Sequence, residues 1–253
     1  MRTVALIQAR MGSTRLPGKT LKEVNGKTLI EIMLHRLEKC QKIDRIIVAT
    51  SVEKNNDELE QHVKDLGHYC FRGSENDVLD RFYKAIKNEQ YDYVVRLTAD
   101  CPLIDPVLID KVIQTTIASE KDYGSNISPG KEHFPDGQDT EVFKYKVLED
   151  AWTRAKLPSE REHVTPYIRT NLHSFFSNLS YDNDINFNQI RMTVDTQKDF
   201  DAIEVLVNEL GIDSSWLDYT NYIMKFPKKF TNQQIIRNEG YQKSLLEDKK
   251  IKK

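Results

Sequence analysis

The chain has 253 residues, with 37 Lys and Arg against 39 Asp and Glu and a formal net charge of −2. That length is enough for one substantial core, and the near balance of charge excludes a broadly basic nucleic-acid-binding surface. Cys40, Cys70 and Cys101 form no Cys-x-x-Cys pair, which excludes a disulfide framework and a cysteine zinc site. No apolar run approaches membrane-spanning length, and the N-terminus enters a strand directly rather than through a charged leader. A cytoplasmic protein with neither a membrane nor a nucleic-acid partner is expected.

The first half alternates strand and helix. Residues 3–8 form an apolar run that predicts a buried strand, followed by a loop and a helix from about Thr28 to Gln41. Residues 45–50 are the next strand. A helix opens at Asn56 or Asp57, repeats Leu59, Val63 and Leu66 at helical spacing and stops at Gly67. Residues 69–71 form a short strand, and the helix after it, from about Asn76, buries Val78, Leu79, Phe82 and Ile86. Residues 93–97 are another buried strand, and Asp105-Pro106 starts a helix with a cap and a proline at its first turn. This rhythm predicts a mostly parallel sheet covered on both faces, with ligands at the carboxyl ends of its strands.

After about residue 120 the rhythm breaks. Residues 124–140 are rich in Gly, Pro, Asp and Ser and read as irregular loop. Residues 141–143, 175–179 and 189–194 read as strands, Ser159-Glu160-Arg161-Glu162 as a capping box opening a helix, and Thr196 as the cap of a helix ending at Gly211. The last forty or so residues are helical in pattern, with a cationic tail, 249–253, that reads as a frayed end. No repeat or linker is visible. One domain over 1–253 is expected, with an insertion at about 125–188 and a helical extension at about 212–253.

Chemistry concentrates in residues 9–20, Ala-Arg-Met-Gly-Ser-Thr-Arg-Leu-Pro-Gly-Lys-Thr. The stretch leaves the end of the first strand with two glycines, two hydroxyl side chains before Pro17 and the cations Arg10, Arg15 and Lys19. Glycine lets backbone N–H groups approach phosphate oxygens, and fixed cations neutralise them. A triphosphate site follows. The stretch nearly matches a Walker A loop, but five residues separate Gly12 from Gly18, one of them Pro17, where the motif needs four. Residues 23–27 read as a turn rather than the helix a P-loop requires, so that alternative stays secondary. A solvated basic loop is the plain alternative.

Asp100 and Asp195 each follow an apolar run directly, which places both carboxylates at the ligand edge of the sheet. A triphosphate brings Mg²⁺, which keeps several waters and takes only one or two protein carboxylates. The pair is therefore the candidate metal site, although either residue alone also fits a turn or pre-helix acid. Residues 136–167 are densely polar where the rhythm is interrupted. Asp136, Gln138, Asp139, Glu141, Arg161, Glu162, His163 and Tyr167 are the candidate contacts for an acceptor, with Arg161 or His163 toward an acidic group and Asp139 and Glu141 toward hydroxyls. The same residues also fit a helix cap, a turn at Asp136-Gly137 and a half-buried packing histidine.

These residues together resemble a family. Residues 9–10 and 13–19 look like the signature loop of the cytidylyltransferases that make CMP-sugars, the CMP-Kdo and CMP-sialic acid (acylneuraminate) synthetases. The blocks at 72–81, 100–105, 136–139, 160–167 and 193–196 resemble the spore-coat-polysaccharide branch of that family, and the likeness covers about residues 1–210. It implies a Rossmann-like nucleotidyltransferase fold similar to that of the nucleotide-sugar glycosyltransferases, and a homodimer formed through the insertion. It implies that Arg10, Ser13, Arg15 and Lys19, with Ala9, Gly12 and Thr98, hold the nucleotide of CTP. It further implies that Arg72, Gly73, Asp77 and Arg81 lie by the base, and that Asp100 and Asp195 hold Mg²⁺. Met11 and Gln197 depart from the relatives, which tend to have glycine and proline there. The expected reaction is cytidylyl transfer to an acidic sugar. A sugar-nucleotide glycosyltransferase and a non-catalytic nucleotide-binding module are the alternatives; the first lacks its Asp-x-Asp, since Cys101-Pro102 follows Asp100, and the second has no need of paired aspartates.

Overall fold

The computed structural model describes residues 1–127, 133–171, 186–235 and 239–251. In chain order its strands are β1 (Thr3–Gln8), β2 (Glu23–Val24), β3 (Lys27–Thr28), β4 (Arg45–Ser51), β5 (Tyr69–Gly73), β6 (Tyr93–Thr98), β7 (Tyr123–Ser125) and β8 (Glu141–Lys144). The helices are α1 (Leu29–Leu37), α2 (Asp57–Asp65), α3 (Val78–Ile86), α4 (Pro106–Ala118), α5 (Tyr145–Arg154), α6 (Pro158–His163), α7 (Thr165–Asn171), α8 (Gln197–Leu210), α9 (Trp216–Lys225) and α10 (Glu239–Ile251).

Six strands form one sheet in the order β5-β4-β1-β6-β8-β7. The first four are parallel, and β8 runs antiparallel to both β6 and β7. Side chains alternate across a strand, so β1 feeds two cores. Ala5 and Ile7 pack with α1, α2, α4 and α8, whereas Val4 and Leu6 pack with α3, α5 and α7. The mostly parallel sheet with helices on both faces is the expected one. The chain runs from β1 outward to β4 and β5, then returns to the other side of β1 as β6. That reversal opens a crevice between the carboxyl ends of β1 and β6, where open α/β sheets bind ligands.

Caps set several boundaries. Asp77 Oδ1 accepts from Asp80 N at 2.9 Å and starts α3, and Asp105 Oδ1 accepts from Val107 N at 2.9 Å ahead of Pro106. Such caps contribute roughly 1 kcal/mol each. Asn25 and Gly26, both at positive φ, turn the β2–β3 hairpin. That hairpin follows a short 3-10 turn, Lys19–Leu21, so no helix starts at Lys19 and the P-loop alternative fails.

Several expectations need correction. Residues 189–194 make no sheet strand: the segment is extended, with one bridge between Asp136 and Arg191 and a 2.8 Å bond from Val194 N to Asp100 O. Gly124 and Ser125, at the start of the expected loop 124–140, belong to strand β7. Gly124 is there because a Cβ would stand 2.0 Å from Thr116 Oγ1 of α4. Ser159 lies inside α6 rather than capping it, and Glu160 Oε2 instead accepts from the backbone N of Lys156 and Leu157. Residues 249–251 end a helix rather than a frayed tail. The expected strand 175–179 lies outside the described residues. Among the described residues, no helix is long and apolar enough to cross a membrane.

Candidate active site

The loop after β1 is held compactly. Gly18 takes left-handed φ 68°, which brings its N–H to Met11 O at 3.3 Å, and Ser13 Oγ accepts from Leu16 N at 3.3 Å. Asn56 Oδ1 anchors Met11 N at 2.9 Å, and Thr20 Oγ1 donates to Arg10 O at 3.2 Å. The fold of the loop turns Lys19 into the crevice. Its Nζ donates to Val194 O at 2.6 Å and lies 3.0 Å from Asp195 Oδ1 and 3.6 Å from Asp100 Oδ2. Burial disfavours the charged amine, but the two carboxylates outweigh that and hold its pKa above the ordinary lysine value.

The carboxylates arrive by the same local pattern twice. Arg96-Leu97-Thr98-Ala99-Asp100 and Arg191-Met192-Thr193-Val194-Asp195 are both Arg-x-Thr-x-Asp. Alternation along extended chain puts Arg, Thr and Asp on one face and buries the intervening apolar residues. Thr98 Oγ1 donates to Asp100 Oδ1 at 2.5 Å. Asp195 meets Lys19 and, at 3.1 Å, Arg15 through Oδ1, and Arg191 at 3.0 Å through Oδ2. Burial pushes its pKa up, yet those cations reverse the effect and keep it below the ordinary carboxylate value. Arg191 also pairs with Asp136 at 2.6 Å and with fully buried Asp199 at 2.8 Å, so it clamps Asp195 to the start of α8. Arg96 and Arg191 escaped the sequence reading, and the doubled pattern is the signal that would have found them.

Two cavities meet at these groups. A cleft of about 220 Å³ is lined by Gln8, Ala9, Arg10, Gly12, Ser13 and Lys19, and a larger cavity of about 490 Å³ lies beside it. Both are bounded by Arg15, Thr98, Asp100 and Asp195. Two buried side chains near the loop have polar atoms without a hydrogen-bond partner among the described residues: Gln8 at Oε1, and Arg81 at Nε and Nη2. Arg81 runs beneath Gly73, where a Cβ would come within 3.0 Å of Arg81 Cγ. Burial, and then nearby Arg10, lowers the Arg81 pKa to about 10. Gly73 and Arg81 are thus packed against each other.

The expected acceptor residues divide. Asp136, Asp139, Glu141 and His163 line the larger cavity, joined by Arg96, Arg169 and Tyr241. Glu141 is nevertheless consumed: Arg96 Nη1 and Tyr123 Oη bond it at 2.7 and 2.5 Å, and Arg169 lies at 3.7 Å. Burial opposes its charge, but Arg96 and Arg169 hold its pKa below the ordinary value. Gln138 is not a site residue. Fully buried, it ties Asp105 N and Leu103 O at 2.9 and 3.0 Å. Glu162 accepts from Ser244 Oγ at 2.6 Å, and Tyr167 packs on the core beside α3 and α5 without lining the cavity.

Arg161 and Asp77 are corrected together. Arg161 Nε and Nη2 grip Asp77 at 2.9 and 2.6 Å, and Nη1 donates to Trp152 O at 2.8 Å, so neither is left for acceptor or base. Arg72 is likewise spent on Asp57, Glu60 and two backbone carbonyls. Arg161→Ala should therefore leave substrate KM values within twofold and destabilise the fold by about 1–3 kcal/mol, the range for a lost charge-assisted hydrogen-bond group. Urea denaturation beside steady-state kinetics checks this.

His163 carries a pH consequence. Burial first, then Arg96 and Arg169 against the opposing Glu162 and Glu141, lowers its pKa from 6.5 to about 4. The unfolded chain thus takes up this proton first, so stability is full above pH 6.5 and falls as pH drops toward about 4. Glu141 adds a loss below the ordinary glutamate range. The melting temperature should decline across that window, and His163→Gln should flatten its upper part. An unaltered profile in the variant would contradict the assignment.

A mostly parallel sheet whose switch-point crevice holds a cationic loop facing two carboxylates, Asp100 just beyond β6 and Asp195 just before α8, is the arrangement of a Rossmann-like nucleotidyltransferase. The family model for cytidylyltransferases matches residues 4–249, and the chain belongs to that family of enzymes. It is 36% identical over 212 residues to the spore coat polysaccharide biosynthesis protein SpsF of Bacillus subtilis, covering 81% of this chain and 86% of that one. The structure of a cytidylyltransferase from Leptospira borgpetersenii superposes with a TM-score of 0.85 at 34% identity, covering 94% of this chain and 100% of that one. A CMP:2-keto-3-deoxy-manno-octonic acid synthetase solved with CTP shares the fold, with a TM-score of 0.60 at 17% identity over 83% and 99% of the two chains.

Proposed function

We propose that this enzyme transfers the cytidylyl group of CTP, with Mg²⁺, to a hydroxyl of an acidic sugar, releasing pyrophosphate. The observation that carries the proposal is the junction: a phosphate-type cleft and a sugar-sized cavity share Arg15, Thr98, Asp100 and Asp195 as a common wall. Nucleotide phosphates belong against Arg10, Ser13, Arg15 and Lys19, and the base belongs toward Gly73 and Arg81, whose free buried donors call for an acceptor atom. An acidic acceptor is favoured by the Arg96–Glu141–Arg169 group, two guanidiniums against one carboxylate, in a cavity that Asp100, Asp136, Asp139 and Asp195 also line, and Arg96 Nε has no protein partner among the described residues.

The residues fit a hard divalent cation. Two carboxylates converge on one ammonium, and among the described residues no group of three or more His, Cys, Asp or Glu forms a complete cage. A cation that takes one or two carboxylates and completes its shell with phosphate and water suits that set. Asp100 and Asp195 would hold Mg²⁺, which when bound supplies charge neutralisation and orientation of phosphate oxygens. Lys19 and Arg15 neutralise charge developing on pyrophosphate, while the cavity wall aligns the acceptor oxygen with the α-phosphorus. The homodimer is part of the proposal on family resemblance alone.

Pyrophosphate release with each of the four triphosphates and a panel of 2-keto-3-deoxy sugar acids tests it. CTP should be preferred. Equal use of UTP, or use of purine triphosphates alone, would overturn the cytidylyl assignment.

A further inference from the structure

The C-terminal helix, which carries no visible chemistry in the sequence, forms one wall of the larger cavity. Gly240, Tyr241 and Gln242 line it at the start of α10. Two buried anchors hold the helix there. Asp248 accepts from Ser159 N and Oγ at 3.0 and 2.6 Å, with both residues no more than 5% exposed. Ser244 Oγ gives its proton to Glu162 or to Gly240 O, so its 3.0 Å bond to His163 Nε2 is donated by the imidazole. Between these anchors and the sheet, the Tyr241 ring meets the edge of His163 at 5.2 Å and 84°, and the Arg169 guanidinium lies 5.9 Å from its centroid. The ring is thus fixed on two sides beside the Arg96–Glu141–Arg169 group. Arg96 precedes Thr98 by one full repeat of β6, and Arg169, which meets Tyr241, shares Glu141 with Arg96, so the ring lines the same cavity as Thr98 and Asp100 from the side of Arg96.

We propose that Tyr241 is a specificity-determining residue that limits the length of the acceptor. An acceptor whose hydroxyl meets the Asp100–Asp195 edge extends its carbon chain toward α10, and the anchored ring is the stop it meets. The inference rests on the acceptor assignment of this cavity. A rigid aromatic wall discriminates by size, and a difference of one carbon in such a pocket is worth roughly 10–200-fold in kcat/KM.

The test compares 2-keto-3-deoxy sugar acids of eight and nine carbons as acceptors, with CTP saturating and pyrophosphate release as the signal. Tyr241→Ala should shift the ratio of kcat/KM toward the longer acid by about tenfold, with the KM for CTP within twofold of wild type. Tyr241→Phe keeps the ring and should keep the wild-type ratio. Circular dichroism and melting curves verify that the half-buried position tolerates both changes. A wild-type ratio in Tyr241→Ala overturns the proposal while leaving cytidylyl transfer intact. If the wild-type enzyme releases no pyrophosphate with any acid, the acceptor assignment falls and the role of Tyr241 falls with it.

Discussion

Asp100→Asn and Asp195→Asn each remove most cytidylyl transfer and leave the fold in place. Each carboxylate supplies an anionic oxygen at the wall between the two cavities, within 3.6 Å of the Lys19 ammonium. An amide of the same shape keeps the packing but loses the charge that would hold a divalent cation. The two variants should differ in side effects. Asp195 balances Arg15 and Arg191 as well as Lys19, so its amide leaves buried Arg191 with Asp136 and Asp199 only. Asp100 has Thr98 and Lys19, and its loss should disturb stability less. Single-turnover assays across Mg²⁺ concentration decide the matter. Normal turnover by both variants at limiting Mg²⁺ would remove them from the metal site.

Lys19→Ala lowers the rate by about a hundredfold or more, the effect expected of one preorganised group aimed at developing charge. Its side chain is only 14% exposed and its ammonium is fixed by Val194 O and two carboxylates, so it would meet leaving phosphates already desolvated and oriented. A solvated surface lysine would cost within about half a kcal/mol in stability and nothing in rate. The measurement is kcat/KM for CTP, with Lys19→Arg as the charge-conserving control. Wild-type kinetics for the alanine variant would reduce the loop to a solvated basic turn.

The sheet was legible because buried parallel strands are nearly continuous apolar runs, as in residues 3–8 and 93–97, and because Asp105 and Thr196 carry their cap chemistry in their own side chains. The cationic loop and Asp100 could be placed at the ligand edge of the sheet for the related reason that they follow those runs directly, whereas Asp195 follows a segment that joins no strand ladder. The acceptor region was not. Arg161 is satisfied by Asp77 across 84 positions and Gln138 by Asp105 across 33, and no local pattern reveals which polar groups pair. Residues 189–194 misled because an extended buried segment has the composition of a strand, although its backbone meets the sheet edge through a bridge to Asp136 and a bond to Asp100 O rather than through a strand ladder. Tyr241 was invisible because a helix whose chemistry depends on its docking partner shows only its own periodicity.

The contact between Lys19 and Asp195 joins residues 176 positions apart, and Tyr241 comes later still. A ribosome adding about 5–20 residues per second leaves roughly 9–35 s between the appearance of the lysine and that of its carboxylate. Throughout that interval the cationic loop lacks Asp195, its counter-charge from the second Arg-x-Thr-x-Asp segment, although Asp100 from the first segment joins the chain partway through it. The contacts of the loop are thus completed in two steps, Asp100 becoming available to Lys19 first and Asp195 to Lys19 and Arg15 only afterwards.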